Sequence, residues 1–191
     1  MFSVEWRDCA ALRDQGLPVS TTSNEACKLY DASLSQLTGY YESAQLGGFS
    51  ASIDAMLSAD PDFVLGQCFK LGVNLLGSDQ LLNNKELVSD YPNVLQATVD
   101  QLTKLRLTRR EQMHVRAVQL LHKGVLGSAS DVYEEILLEN PTDMMAIKFS
   151  QSCYFYLGES VRMRDSVARV MPAWKKQTPL YSYLFGRRLW V

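Results

Sequence analysis

The sequence lacks an excess of charge of either sign and lacks long apolar runs. Its formal net charge is -2, so it has no strongly basic field to hold a phosphate backbone, and nucleic acid is not an expected partner. The longest apolar runs, such as residues 71–76, are much shorter than the roughly 20 residues that a membrane-spanning helix needs. Charged residues at positions 5, 7 and 8 argue against a secretory signal peptide. We therefore expect a soluble cytoplasmic protein without a membrane span.

The sequence also lacks the cysteine and histidine spacings of metal sites. Its four cysteines include no C-x-x-C pair and no zinc-like cluster, and we expect reduced, mostly buried thiols. They are Cys9, Cys27, Cys68 and Cys153. The histidines, His114 and His122, are eight positions apart, whereas a helical metal pair is usually four apart. Gly47-Gly48 lacks the lysine and spacing of a phosphate-binding loop. We expect no metal and no cofactor.

Residues 108–143 carry the signals of one complete helix–turn–helix unit. Thr108 and Glu111 match a capping box, T-R-R-E, at the start of the first helix. Gly124 and Gly127 are predicted to break that helix, and Asn140-Pro141 ends the second. Apolar residues recur at helical spacing in both helices. They are Met113, Ala117, Leu120 and Leu121 in the first, and Ala129, Val132, Tyr133, Ile136 and Leu137 in the second.

Helical periodicity continues on both sides of this unit, and no strand-like alternation of comparable length occurs. A second capping box is predicted at Thr22 and Glu25, and Asp62 is predicted to cap a later helix. Gly72 lies inside that later helix, where it indicates either a close contact with another helix or local weakness. Residues 80–106 are predicted to be helical with an interruption at a proline.

The unit at residues 108–143 also carries marks of the tetratricopeptide repeat, which has a 34-residue period. Ala117, Ala129 and Tyr133 stand at its small and aromatic positions, and Pro141 at its terminal proline, while Met113 replaces the usual tryptophan. The next period matches in part, and the match before residue 108 is weak. The predicted fold is an all-α, helical-hairpin solenoid of tetratricopeptide-like repeats, incomplete at the C-terminus. A generic array of helical hairpins is the alternative.

Three longer runs, at residues 17–29, 107–115 and 163–169, resemble the tetratricopeptide repeat protein 38 family. The resemblance extends to about Tyr183, and it implies a truncated or alternatively spliced portion of a longer helical repeat protein. It supplies no enzymatic activity and no catalytic residue. The chain divides into degenerate helical-hairpin repeats at 1–107, tetratricopeptide-like repeats at 108–178 and a divergent tail at 179–191.

In stacked hairpins, the first helices line a concave groove that binds partners. By the geometry of the family, nine residues of two such helices face this groove and form the predicted partner-binding site, where aromatic and methionine side chains suit a peptide or a partner helix. They are Glu111, His114, Val118, His122, Met145, Lys148, Ser152, Phe155 and Tyr156. A clamp for a C-terminal carboxylate is not expected, because Ser152 stands where such clamps have asparagine.

Two classes of function follow from these residues. The favoured hypothesis is a non-catalytic scaffold in the cytoplasm that binds a protein or peptide. The alternative is an enzyme whose groove uses Cys153 or the pair His114 and His122, although no nucleophile elbow or oxyanion signature accompanies them. The tail at 179–191 is expected to leave an apolar patch exposed, which favours self-association through the C-terminal face.

Overall fold

A computed structural model describes residues 6–77 and 107–186, with side chains to residue 184. All regular secondary structure in these two ranges is helical, which confirms the all-α prediction. The helices are α1 (Cys9–Asp14), α2 (Asn24–Gly39), α3 (Phe49–Ala59), α4 (Val64–Leu76), α5 (Arg109–His122), α6 (Leu126–Glu139), α7 (Met144–Leu157), α8 (Ser160–Val170) and α9 (Tyr181–Gly186), with 3-10 turns at Ala44–Leu46 and Met171–Ala173. The helix predicted at 80–106 lies outside the described residues.

Helix starts show which capping signals act. The box at Thr108 is confirmed: its hydroxyl accepts from the backbone N–H of Glu111 at 3.2 Å, and the Glu111 carboxylate accepts from the backbone N–H of Thr108 at 2.9 Å. The box predicted at Thr22 and Glu25 is wrong. The N-cap of α2 is Ser23, whose hydroxyl accepts from the backbone N–H three residues on at 3.1 Å. The helix therefore begins one residue later than the predicted pattern.

The turns before α4 and α7 have the same backbone geometry but different capping. The N–H of Phe63 donates to the carbonyl of Asp60 at 3.2 Å, and the N–H of Asp143 donates to the carbonyl of Asn140 at 3.0 Å. Asp143 then caps α7 through its carboxylate. Phe63 occupies the equivalent position before α4 and places its ring in the core instead. The cap predicted at Asp62 is therefore wrong.

The C-terminal half consists of two consecutive helical hairpins. Helices α5 and α7 begin at residues 109 and 144, which are 35 apart, and α6 and α8 begin at 126 and 160, which are 34 apart. Gly124, with φ of 72°, makes the turn after α5, whereas Gly127 lies inside the first turn of α6 rather than breaking a helix. This spacing matches the period of tetratricopeptide repeats.

One aromatic core joins the two described parts of the chain. Ring centroids of Tyr30 and Phe69 are 5.8 Å apart, those of Phe69 and Phe149 are 6.2 Å apart, and those of Phe149 and Tyr133 are 5.9 Å apart. Gly72 allows this approach, because a Cβ there would lie 2.7 Å from Cζ of Phe149. Of the two roles that the sequence left open for this glycine, the close helix contact is the correct one.

Helix α7 lies at the centre of the packing rather than at the edge of a stack. It contacts α6 and α8, its neighbours along the chain, and also α2 and α4. Residues of α2 reach it directly, since the hydroxyl of Tyr30 lies 3.7 Å from the sulfur of Met145. In a linear solenoid each repeat contacts only its neighbours. The contacts from α2 therefore close over a face of α7 that a linear solenoid would leave open.

The segment after residue 178 packs onto the core. Leu184 is fully buried in the main core, and Leu180, Tyr181 and Tyr183 pack against that core. The structure thus folds α9 back over the bundle, where the sequence led us to expect an open apolar patch. An amphipathic segment with several aromatic residues gains more from this burial than from exposure.

Candidate functional site

Of the residues predicted to face an open groove, four are almost completely buried and a fifth, Lys148, is 7% exposed. Glu111, His114, Val118 and Met145 are each 2% exposed or less. In this structure these four side chains face the interior and not an open groove, because α4 and the loop at Ser20 pack against α5, and α2 and α4 pack against α7. Sequence spacing gives the face of a helix on which a residue lies, but it does not say what covers that face.

The Glu111 carboxylate is occupied by four hydrogen bonds. One oxygen accepts from the backbone N–H and the hydroxyl of Ser20, both at 2.8 Å. The other accepts from the backbone N–H and the hydroxyl of Thr108, both at 2.9 Å. Glu111 therefore attaches the loop before α2 to the start of α5, and it has a structural role in this arrangement.

His114 belongs to a buried charge cluster centred on Asp143. One oxygen of Asp143 accepts from Nη1 of Arg110 at 2.8 Å and lies 2.9 Å from Nε2 of His114. The other oxygen accepts from the backbone N–H of Ala146 at 3.0 Å. Arg110 also donates to the carbonyls of residues 17 and 18, both at 3.1 Å. The cluster joins the N-terminal loop, α5 and the start of α7.

Asp143 and Arg110 keep their charges despite their burial. Burial alone raises the pKa of Asp143, but His114 and Arg110 lower it more and hold that pKa well below its usual range. Burial alone lowers the pKa of Arg110, and the Asp143 carboxylate outweighs this and raises it. Since all three side chains are buried, the cluster stabilises the fold rather than facing a ligand. The sequence analysis missed Asp143, whose one available signal was its position shortly after Asn140-Pro141.

Two of the three residues of the alternative enzyme hypothesis, Cys153 and His114, are buried in this structure. Cys153 is fully buried, and burial raises the pKa of its thiol to about 12, so the reactive thiolate is scarce at neutral pH. His114 points into the charge cluster, and His122 is half-buried at the end of α5. Within the described ranges, no three metal-binding side chains come together. The same ranges contain no helix that is long and apolar enough to cross a bilayer.

The remaining predicted residues, apart from His122, lie around a cavity of about 610 Å³. This cavity, called here the α2–α7–α9 pocket, is formed by the end of α2, the second half of α7, one residue of α8 and the start of α9. Its lining residues are Thr38, Gly39, Tyr40, Lys148, Gln151, Ser152, Phe155, Tyr156, Met163, Ser182 and Tyr183. Four of them, on α7, were predicted. The residues of α2, α8 and α9 were missed because only the tertiary fold brings them to α7.

Tyr40 forms one wall of the pocket in a strained backbone conformation. It follows α2 with φ of 51° and is 82% exposed. Nζ of Lys148 lies 2.7 Å from its hydroxyl and 4.4 Å from its ring centroid, which fixes the ring. Leu180, immediately before α9, has φ of 67°. These are the positive-φ residues other than glycine in the described ranges, and such strain concentrates at functional sites.

Exposed aromatic rings of α7 form another part of the lining. Phe155 is 71% exposed and meets the half-exposed Tyr156 edge to face, with centroids 5.7 Å apart. The Tyr156 hydroxyl donates to the carbonyl of Leu76 at 2.6 Å, which holds its ring in place. Exposed aromatic surface of this kind, beside a cavity, is typical of a binding site.

Tyr183 of α9 closes the pocket against the end of α2. A Cβ at Gly39 would lie 2.9 Å from the ring and 2.9 Å from the hydroxyl of Tyr183, so a larger residue there would displace the Tyr183 ring. Partial burial, and secondarily the neighbouring Tyr41, raise the pKa of the Tyr183 hydroxyl. That hydroxyl is therefore a neutral hydrogen-bonding group at neutral pH.

No family model matches this chain, and no solved structure matches it. The interpretation of the α2–α7–α9 pocket therefore depends on its own residues. Their combination of exposed rings, hydroxyls, one amide and the ammonium group of Lys148 suits reversible binding.

Proposed function

We propose that this protein is a non-catalytic interaction scaffold that binds a peptide or partner helix in the α2–α7–α9 pocket. The observation that carries the proposal is the set of exposed aromatic side chains, Tyr40, Phe155 and Tyr156, that line one cavity of about 610 Å³. This volume lies within the roughly 300–1,000 Å³ of ordinary ligand pockets. It has room for one or two apolar side chains of a peptide.

The chemistry of the lining indicates what such a peptide presents. Phe155, Tyr156 and Met163 offer apolar and polarisable surface, which suits an aromatic or long aliphatic anchor residue. Ser152 and Ser182 offer hydroxyls at the rim, which suit the peptide backbone beside that anchor. The proposed ligand is therefore an apolar-anchored segment rather than a free C-terminal carboxylate.

The architecture supports a scaffold of the tetratricopeptide type. Supporting features are the 34- and 35-residue offsets between helix starts, the confirmed capping box at Thr108 and the resemblance of three runs to the tetratricopeptide repeat protein 38 family. We therefore propose that α5–α8 are two such repeats, in a cytoplasmic member of that family. The contacts of α2 with α7 make this a more compact assembly than a linear stack.

A displayed peptide library selected on the parent protein tests the proposal. Selected peptides should carry an aromatic or aliphatic anchor, and fluorescence polarisation should give their affinities for the parent and two variants. Phe155→Ala should weaken binding by about tenfold or more, as expected for an aromatic hot spot. Leu138→Ala is the matched control, because Leu138 is 69% exposed on α6 and does not line the pocket.

The control should bind like the parent. Failure to select any peptide would contradict a peptide-binding function. Peptides whose affinity is unchanged by Phe155→Ala would instead place the interaction surface elsewhere. Circular dichroism of both variants would show that the fold is kept, which is expected because both side chains are mostly exposed.

A further inference from the structure

The fold brings together two cysteines that the sequence shows only as widely separated. Sγ of Cys9, in the first turn of α1, lies 3.1 Å from Sγ of Cys27 on α2. Both residues are free thiols and both are buried. An S–S bond is about 2.05 Å long, so a shift of about 1 Å separates this contact from a covalent link.

The two thiols lie at the seam between α1 and α2, apart from the aromatic core. They form a small apolar cluster with Leu12, and Val19 packs against it. Beside this seam, Arg7 and Asp31 make a buried ion pair that also fixes the position of the chain before α1. The neighbouring contacts therefore hold the sulfurs close together, so little conformational entropy is left to be lost when the bond forms.

We propose that Cys9 and Cys27 are a modification site that forms a reversible intramolecular disulfide when hydrogen peroxide is present. In the first step, the Cys9 thiolate attacks one peroxide oxygen, the O–O bond breaks, and sulfenic acid and hydroxide form. In the second step, the Cys27 sulfur attacks the Cys9 sulfur, and the S–O bond breaks. The released hydroxide takes the Cys27 proton. Overall, two thiols are oxidised, and one peroxide is reduced to two waters.

The difference between the two environments sets the order of these steps. Cys9 is 8% exposed, whereas Cys27 is completely buried, so a small oxidant reaches Cys9 first. Burial, and secondarily the neighbouring Cys9, raise the pKa of the Cys27 thiol, which disfavours Cys27 as the first nucleophile. Cys9 is therefore the peroxide-reacting residue, and Cys27 is the resolving one.

Peptide mapping of the full chain tests the site directly. The folded protein is treated with hydrogen peroxide, remaining thiols are alkylated in denaturant, and tryptic peptides are analysed with and without a reductant. Trypsin cleaves after Arg7, Arg13 and Lys28, so Cys9 and Cys27 lie on separate peptides, 8–13 and 14–28. The expected product is these two peptides joined with the loss of two hydrogen atoms, and separated again by the reductant.

Cys68 and Cys153 are internal controls, because both are also buried free thiols. They should stay alkylated after the same treatment. Separate, fully alkylated peptides 8–13 and 14–28 would overturn the proposal, as would a linkage of Cys9 to Cys68 or Cys153. Treatment of the chain in denaturant should give mixed linkages, which would show that the folded arrangement selects the pair.

Two further measurements distinguish a functional thiol pair from two cysteines that merely lie close together. In Cys27→Ala, peroxide should leave a sulfenic acid on Cys9 that dimedone traps, whereas the parent should show little adduct because Cys27 resolves it. The oxidised parent should melt at a higher temperature than the reduced parent, since the bond closes a loop in the unfolded chain. A lower melting temperature of the oxidised form would show that the link distorts the seam, and would overturn the proposal.

Discussion

At the scale of single residues, buried charged side chains lie where the N-terminal loop, α5 and α7 meet. Asp143 caps α7 and accepts from Arg110 of α5, and Arg110 in turn holds the loop before α2. Glu111 binds the same loop through Ser20. Removing one partner of a buried pair costs more than the pair itself contributes, because the other charge is left without compensation. These side chains therefore specify how the N-terminal segment docks.

Asp143→Asn tests this role. Asparagine still caps a helix, but it leaves Arg110 buried without a counter-ion, so we expect a loss of about 3–5 kcal/mol in the free energy of unfolding, measured by urea denaturation at neutral pH. The control is Asp54→Asn, which removes an exposed pair with Lys70 and should cost about 1 kcal/mol or less. Equal effects of the two variants would contradict the structural role of the cluster.

The difference between parent and Asp143→Asn should depend on pH. The pKa of Asp143 is lowered in the folded state from about 3.9 in the unfolded chain. As the pH falls below about 4, the unfolded chain binds a proton that the folded chain does not, so stability is lost. The contribution is complete above about pH 5, and the gap between the two proteins should narrow from about pH 5 to about pH 2. A constant gap would contradict an ionised Asp143.

Two substitutions of Tyr133 distinguish the contribution of ring packing from that of hydrogen bonding. Its ring is fully buried between those of His114 and Phe149, while its hydroxyl has no hydrogen-bond partner among the described residues. Tyr133→Ala should lower the free energy of unfolding by about 3–5 kcal/mol through the cavity it leaves. Tyr133→Phe should be neutral or stabilising by about 1 kcal/mol, because it removes an unsatisfied buried hydroxyl. Thermal and urea unfolding measure both, and a large loss in Tyr133→Phe would indicate a hidden partner for the hydroxyl.

At the scale of elements, capping residues specify where several of the helices begin. In α5, the side chains of Thr108 and Glu111 each accept from the other residue's backbone N–H. In α2, the Ser23 hydroxyl accepts from the backbone N–H of Ala26. The equivalent starts of α4 and α7 diverge, with a ring in one and a carboxylate in the other. The residue at the N-cap position, Phe63 before α4 and Asp143 before α7, therefore decides whether that helix start has a side-chain cap.

Substitution of Thr108 measures the capping box of α5. Thr108→Ala removes the acceptor for the N–H of Glu111 and one donor to its carboxylate, and we expect a loss of about 0.5–2 kcal/mol in urea unfolding. Thr108→Ser keeps both bonds and should stay close to the parent. If both variants lost the same amount, packing of the threonine methyl rather than capping would be the cause.

At the scale of the whole molecule, the fold departs from a one-dimensional stack. Helix α2 reaches α7, and α9 returns to the end of α2, so residues far apart in sequence share one core and one pocket. Such closure replaces the polar cap that a solenoid end requires. Self-association through the C-terminal face, expected from the tail at 179–191, stays a prediction.

Leu184→Ala tests whether α9 closes the bundle. Leu184 is fully buried, so its truncation should lower the free energy of unfolding by about 2–5 kcal/mol in urea unfolding. Ser182→Ala, two residues earlier and exposed, is the control and should change little. Light scattering after size exclusion should show more association in Leu184→Ala than in the parent, because a loosened α9 uncovers apolar surface. Parent-like stability in this variant would mean that α9 is not a working cap.

The amino-acid pattern by itself determined most of the helices in the described ranges. The stripe from Ala129 to Leu137 is buried as predicted, and the turn after Asn140 and the box at Thr108 are where the pattern put them. These features depend on contacts within a few residues, where spacing and capping chemistry decide the outcome. The misplaced caps at positions 22 and 62 show the limit of this prediction, because local sequence signals do not place a helix boundary to within one residue.

Only the tertiary structure decided which helix faces are covered and which remain open. Lys148, Ser152, Phe155 and Tyr156 line a cavity, whereas Met145, earlier on the same helix, is covered by α2. The pocket walls from α2 and α9, the charge cluster of Asp143 and the thiol pair of α1 and α2 all join residues distant in the chain. Periodicity gives the direction of a side chain relative to its own helix, but a long-range contact depends on how helices dock, and docking is set by the summed packing of the whole core.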